Sequence, residues 1–230
     1  MPCTLPASLA DAAVCRGSFH AVLGGEAGEA VFADFSAALQ KAQAEGRILT
    51  ASLFRYENHL FFYAEGLNRP FTPQGLCPAL DAALLPWPPA LGEAAPRPWA
   101  AMQPYFYHDV PTTAADWQQG RCPQRRRGRI ALLPPDSWCS YMEHHLRIVT
   151  EGLVEGDRWH LICVQEGVLF SYLEEPRTNV NIKHRPGAHS PELDAWIAAD
   201  PESHFARFTP EQKAHPDSGH NFVFLPRIAG

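Results

Sequence analysis

The chain is short of several things, and each shortage narrows its class. Its 230 residues contain no uninterrupted apolar run near the roughly 20 residues that a membrane-spanning helix needs. Basic runs are almost absent. Arg125-Arg126-Arg127 stands between two halves of the chain and reads as a solvated linker, and a formal net charge of −6 disfavours nucleic acid as a partner. The six cysteines, Cys3, Cys15, Cys77, Cys122, Cys139 and Cys163, form no Cys-x-x-Cys pair. They are too sparse for the disulfide framework of a small secreted domain, so a reducing, cytoplasmic setting is expected, with Cys163 a buried apolar residue. The opening stretch MPCTLPASLADAAVC lacks the basic and apolar regions of a secretory leader. No P-loop and no GxGxxG motif is present, and His184, His189, His215 and His220 lie in loops without ligand spacing. Neither a nucleotide cofactor nor a metal is expected.

What is present is a globular composition, 46% hydrophobic and 19% charged, at a length that buries one large core or two small ones. The second arrangement is favoured by an internal echo. Residues 57–66 read ENHLFFYAEG and residues 166–175 read EGVLFSYLEE, sharing Glu, Leu-Phe, Tyr and Glu without a gap. Each copy follows an apolar strand and a helical stretch, near 30–44 and 139–154, and precedes a second helix and an aromatic closing strand, 99–107 and 221–228. The order in each half is β-α-β-β-α-β, and a domain-sized duplication is expected, divided as 1–120 and 121–230.

The local signals are specific. A helix over Glu29 to Ala44 places Phe32, Phe35 and Leu39 on one face, with Gly46 at its C′ position. Strands at 48–55 and 60–65 form a hairpin around Asn58-His59. Prolines 86, 88, 89, 96 and 98 exclude a helix and predict an extended strap. In the second half, Asp136 or Ser137 caps a helix whose apolar stripe is Met142, Leu146, Val149 and Leu153, while Tyr141 and His145 share a face four residues apart. Strands 159–164 and 168–174 flank a tight Gln165-Glu166-Gly167 turn. A long polar loop, 176–190, is placed to cover a site, and Ser190-Pro191 opens the last helix as cap and first residue.

A four-stranded βαββαβ sheet carries helices on one face and leaves the other to be covered. Two such sheets packed face to face meet that need, giving an α+β fold of two tandem ferredoxin-like repeats in the manner of a dimeric α/β barrel, with both sheets from one chain. The pairing is then intramolecular, and no second chain is required. Strand alternation assigns His160, Ile162 and Val164, together with Phe170, Tyr172 and Glu174, to the interior of that barrel. Phe61, Tyr63 and Glu65 are the matching set in the first half, and Leu161, Cys163, Leu169 and Leu173 suit the helices.

The second half, about residues 128–228, resembles the L-rhamnose mutarotase family. Three stretches carry the likeness: Tyr141-Met142-Glu143-His144-His145, matching Tyr-x-x-x-His on the first helix; Glu166 to Glu174, matching the hairpin and its Leu-Phe-x-Tyr-x-Glu strand; and Ala198-Ala199-Asp200-Pro201-Glu202-Ser203-His204, similar to Ala-Asp-Pro-x-Thr-Gln. There are departures. Phe205-Ala206-Arg207-Phe208 stands where the family has a Trp-Trp pair, His160 where it has a tyrosine, and Val149-Thr150-Glu151 where it has Trp-Pro-Glu. The first half has Phe32, Phe35 and Ser36 in the region of the tyrosine and histidine, so its site is expected to be degenerate.

The resemblance implies a cofactor-independent sugar mutarotase acting on a deoxyhexose-like aldose, a small-molecule enzyme with no membrane or nucleic-acid partner. His145 and Tyr141 would be catalytic, with His160, Tyr172, Glu174, His204, Phe205 and Phe208 around the sugar. The chemistry suits these residue types. Opening a cyclic hemiacetal needs one group to take the anomeric proton and another to protonate the ring oxygen, and histidine exchanges protons near neutrality. Two alternatives remain at this stage: a non-catalytic sugar-binding module, and a monooxygenase or haem-type enzyme on the same barrel.

Overall fold

The computed structural model describes residues 6–179, 182–209, 211 and 221–230; Cys3, His215 and His220 lie outside them. In chain order the elements are β1 (Val14–Val22), α1 (Glu29–Ala44), β2 (Ile48–Tyr56), β3 (His59–Leu67), α2 (Pro78–Ala82), β4 (Ala100–Ala101), β5 (Gln103–Phe106), α3 (Ala114–Gln118), β6 (Arg125–Leu132), α4 (Pro135–Glu151), β7 (Val154–Glu155), β8 (Leu161–Gln165), β9 (Val168–Glu175), β10 (Lys183–His184), α5 (Pro191–Ala198), β11 (Val223–Leu225) and β12 (Arg227–Ala229).

Local chemistry sets several boundaries. Gly46, at φ 69°, closes α1 in a Schellman arrangement, with Arg47 N donating to Ala42 O and Gly46 N to Gln43 O, both at 3.0 Å. Ser190 caps α5 by accepting from Leu193 N at 3.0 Å, with Pro191 at the first helical position. Neither Asp136 nor Ser137 is the cap of α4. Pro134 holds that place and the helix starts at Pro135, which has no N–H to satisfy; Asp136 sits in the first turn, where its charge suits the helix dipole. The proline strap folds back on itself, Trp87 and Arg97 exchanging backbone hydrogen bonds at 2.8 and 3.1 Å.

The fold is α+β with antiparallel sheets. The described residues group into two compact units, one taking those up to 102, 111–122 and 226–230, the other 103–110 and 123–225. In the first unit the sheet order is β12-β2-β3-β1-β4; in the second it is β11-β6-β9-β8-β5. The boundary therefore departs from a simple cut at 120. The stretch read as one closing strand, 99–107, divides at Met102: β4 pairs with β1, and β5 pairs with β8. The last strand divides at Pro226, which has no N–H to continue a ladder; β11 pairs with β6 and β12 with β2. Arg125, Arg126 and Arg127 are not a linker. They begin β6, and the cross-strand partners of Arg125 and Arg126 are Glu175 and Glu174, with Arg127 Nη1 2.8 Å from Glu175 Oε1.

In the first unit Phe32, Phe35, Leu39 and Ala42 of α1 pack with Leu53, Leu60, Phe62, Ala64 and Trp99 in one core. Alternation sends Phe61, Tyr63 and Glu65 to the opposite face of β3, as expected from the sequence. Glu65 is fully buried there. Arg121 grips it through two bonds, 2.7 and 2.9 Å, the Tyr63 hydroxyl donates to it at 2.6 Å, and Arg16 Nε donates to Tyr63 Oη at 3.0 Å. Burial alone would raise this carboxyl. The Arg121 charge and hydrogen bonds, with Arg16 beyond, outweigh it and hold the pKa below the usual range.

In the second unit Tyr141, His145 and Ile148 form the buried face of α4, while Leu146 is 60% exposed. The stripe read as Met142, Leu146, Val149 and Leu153 is displaced, because the face turned inward carries the tyrosine and histidine. The β8 assignment also changes. Across the two-residue turn Val164 pairs with Leu169 and Ile162 with Ser171, so these residues share the face that meets α4. His160, two residues before Ile162, lies against the same core, and it is Leu161 and Cys163 that side with Phe170 and Tyr172.

Because Arg121 and Glu65 are both buried, removing one leaves the other charge unpaired. Arg121→Met should lower the unfolding free energy by about 3–5 kcal/mol in urea titrations, and Arg121→Met with Glu65→Leu should cost less than the sum of the single changes.

Candidate functional site

The second unit contains a cavity of about 430 Å³ between the helices and the sheet. Its walls are aromatic, from Phe106, Tyr141, Trp196, Phe205 and Phe222, and its polar groups are His108, Arg129, His145, Asp157, His160, Arg177 and Glu202. A larger groove of about 500 Å³ on the first unit is lined by Lys41, Glu45, Arg47 and Arg69 and collects no buried titratable side chain. The combination of apolar walls with a few buried polar groups makes the smaller cavity the candidate site.

His145 is its most constrained group. The ring is 4% exposed and sits edge-on to Phe106 at 4.6 Å and Trp196 at 4.7 Å between centroids, with Tyr141 at 4.3 Å. Its Nδ1 lies 2.9 Å from the Tyr141 carbonyl oxygen. A carbonyl only accepts, so Nδ1 carries the proton and Nε2 the lone pair. Burial pushes the pKa down to about 4. The carbonyl contact opposes this shift, and His144, His204 and His108 add to it. At neutral pH His145 is thus an uncharged base of fixed tautomer. Tyr141 shifts the other way: burial raises its phenol to about 12, keeping it a proton donor. Two groups of divergent proton affinity, one turn apart on α4, suit paired base and acid roles.

Other lining groups are held by neighbours. Asp157 accepts from Arg177 Nε at 3.2 Å and from the Thr178 hydroxyl at 2.8 Å, and the His160 backbone N–H donates to the Asp157 carbonyl at 3.1 Å. The Glu202 carboxylate accepts from Asn221 Nδ2. Arg129 lies over Phe222, its guanidinium carbon 4.2 Å from the ring centroid, and burial lowers its pKa to about 10. Among the described residues no group of three or more His, Cys, Asp or Glu has metal-holding geometry.

Of the residues singled out from sequence, the cavity brings together Tyr141, His145, His160 and Phe205. The other four lie elsewhere. Tyr172 and Glu174 sit on the opposite face of β9, where the Tyr172 hydroxyl donates to Glu174 at 2.6 Å and Arg126 Nε approaches the same oxygen at 3.4 Å. His204 stands behind Tyr141, ring centroids 5.8 Å apart, with Nε2 3.3 Å from Ser140 Oγ. Phe208 is buried away from the cavity lining.

No family model matches the chain, and no curated protein matches it. Among solved structures it is similar to the "Putative monooxygenase" of Fusobacterium nucleatum subsp. nucleatum ATCC 25586, at 9% identity over 94% of this chain and 93% of that one, with a TM-score of 0.39. A likeness this distant assigns no chemistry.

Sequence reasoning passed over Trp196, Arg129, Asp157, Arg177 and His108. Arg129 did leave a trace: at two-residue spacing it precedes Ala131 on β6 and Leu133 just beyond it, a charged residue in an apolar series. His108 and Phe106 come from the segment read as linker and closing strand, and only the pairing of β5 with β8 brings them here.

The unfolded chain takes up the His145 proton near pH 6.5, the folded protein only near 4. The stability this contributes is complete above 6.5 and lost as pH falls toward 4. Between pH 7 and 4.5 the wild type should lose about 2 kcal/mol more unfolding free energy than His145→Gln, measured by urea titration at both pH values.

Proposed function

We propose that this chain is a cofactor-independent mutarotase that interconverts the anomers of an aldose in the second-unit cavity. The observation that carries the reading is the His145–Tyr141 pair: a neutral base with Nε2 as its acceptor, beside a protonated phenol, in an aromatic-walled cavity sized for one monosaccharide. The first of the three stretches that resemble L-rhamnose mutarotases contains the same two residues. Trp196, Phe106 and Phe222 offer flat faces for the C–H surfaces of a sugar, and Trp196 supplies an indole where Phe205 and Phe208 replace the family's tryptophans.

In this reading His145 Nε2 takes the proton of the anomeric hydroxyl while the Tyr141 hydroxyl protonates the ring oxygen, and the C1–O5 bond breaks to give the open aldehyde. Rotation about C1–C2 presents the other carbonyl face. Ring closure then returns the O5 proton to Tyr141 and the histidine proton to the new anomeric oxygen, leaving the enzyme unchanged. Phenolate at neutral pH is costly for a group held near 12, which favours transfer in step with bond cleavage.

We also infer that the two halves are tandem copies of one ferredoxin-like βαββαβ unit. The strand orders β4-β1-β3-β2 and β11-β6-β9-β8 correspond, and the third strand of each order carries a buried Tyr-x-Glu hydrogen bond of 2.6 Å.

Exchange NMR on a panel of aldoses tests the function. One sugar should show accelerated anomer exchange, His145→Ala should slow it about 100- to 10,000-fold, and Tyr141→Phe should slow it substantially. Background exchange for every sugar overturns the proposal; sugar binding without acceleration would mark a non-catalytic binding module instead.

A further inference from the structure

Arg129 stands apart from the other partly or fully buried arginines of its unit. Arg126 reaches Glu174 at 3.4 Å, Arg127 reaches Glu175 at 2.8 Å, and Arg177 reaches Asp157 at 3.2 Å. Arg129 forms no ion pair with any described residue, and its Nε is sealed from solvent with no hydrogen-bond partner. Its cross-strand neighbour on the β9 side is Ser171. The stack on Phe222 holds the guanidinium plane in place, and the group lines the cavity. Of the two carboxylates in the lining, Asp157 is bound to Arg177 and Thr178, while Glu202, bound to the neutral Asn221 amide, favours the Arg129 charge at longer range without forming an ion pair with it. A desolvated cation is costly to leave without a direct ion-pair partner, and a cation fixed at a cavity wall is completed by what enters the cavity.

We infer that the ligand of this cavity carries a carboxylate, received by Arg129, so that the sugar is an aldose acid of the hexuronate class rather than a neutral deoxyhexose. A planar guanidinium offers two parallel N–H donors that match a carboxylate, and one available arginine supplies one charge, against the two of a phosphate monoester. The cavity of about 430 Å³ holds one such ring. The carboxylate at one wall and His145 at another would fix which end of the sugar meets the base, so Arg129 is a specificity-determining residue. The sugar identity rests on the mutarotase reading; the carboxylate receptor does not.

The experiment titrates the full chain with D-galacturonate, D-galactose and methyl α-D-galacturonoside, a glycoside that cannot mutarotate, following protein resonances, and measures anomer exchange of the two free sugars. Galacturonate and its glycoside should bind about ten- to a hundredfold more tightly than galactose. Arg129→Met should erase that preference, and Arg129→Lys should keep part of it, which also guards against a folding defect in the methionine variant. Equal affinity for acidic and neutral sugars, or a preference that survives Arg129→Met, overturns the carboxylate receptor. Glycoside binding through Arg129 with no acceleration of free galacturonate exchange supports the receptor and overturns the mutarotase reading alone.

Discussion

The pairing of β9 with its two neighbours is the constraint on which the candidate site depends. β9 is the central strand of its sheet, so its alternation is imposed on β6 and β8 together. Leu169, Ser171 and Leu173 face the helices, and Phe170, Tyr172 and Glu174 face away. Once that is fixed, Arg129 beside Ser171 and Ile162 on the other side of it must share the helix face. A shift of one residue in either pairing would move Arg129 out of the cavity and Ile162 out of the core. The cavity is thus positioned by backbone hydrogen bonds, and its side chains follow from the register.

Short-range chemistry was legible in the sequence. The 29–44 helix, its Gly46 terminator, the Ser190-Pro191 start and both hairpins depend on interactions within a few residues, and each is where the residue types place it, save that the first hairpin turns at Glu57-Asn58, one residue before the expected Asn58-His59. The face of β8 was not. Alternation shows that His160, Ile162 and Val164 lie together, but only the cross-strand register says beside whom. The same limit hid the splitting of the strands at Met102 and Pro226, and with it the arrival of Phe106 and His108 at the cavity. It also made the Tyr172–Glu174 pair look like part of the Tyr141–His145 site. Both pairs sit on strands and helices of one unit, on opposite faces of one sheet.

His145 and Arg129 answer burial in different ways. Histidine escapes the cost of a desolvated charge by giving up its proton, and the Tyr141 carbonyl then decides which nitrogen keeps the remaining one. Arginine has no such route near neutral pH, since even a lowered value of about 10 leaves it charged. The cavity therefore presents an uncharged acceptor and a fixed cation on a largely aromatic surface. A ligand matched to both would offer a hydroxyl proton to one and a negative group to the other.

The first unit gives the contrast that explains why this cavity exists. Its helix α1 lies on its sheet as α4 lies on the other, yet the inward residues are Phe32, Phe35 and Leu39, with Phe35 packed edge-on to Phe62 at 5.7 Å and beside Trp99 at 6.3 Å. That layer is filled in the manner of a close-packed core. On α4 the inward residues are Tyr141, His145 and Ile148, and the space beyond them stays open. Leaving such a space, and burying a histidine and an arginine at its edge, forgoes stability that phenyl rings would have supplied. Packing alone would favour filling both layers, so a hollow with a tautomer-fixed base and a cation stacked in place is better explained by what it binds than by how the chain folds.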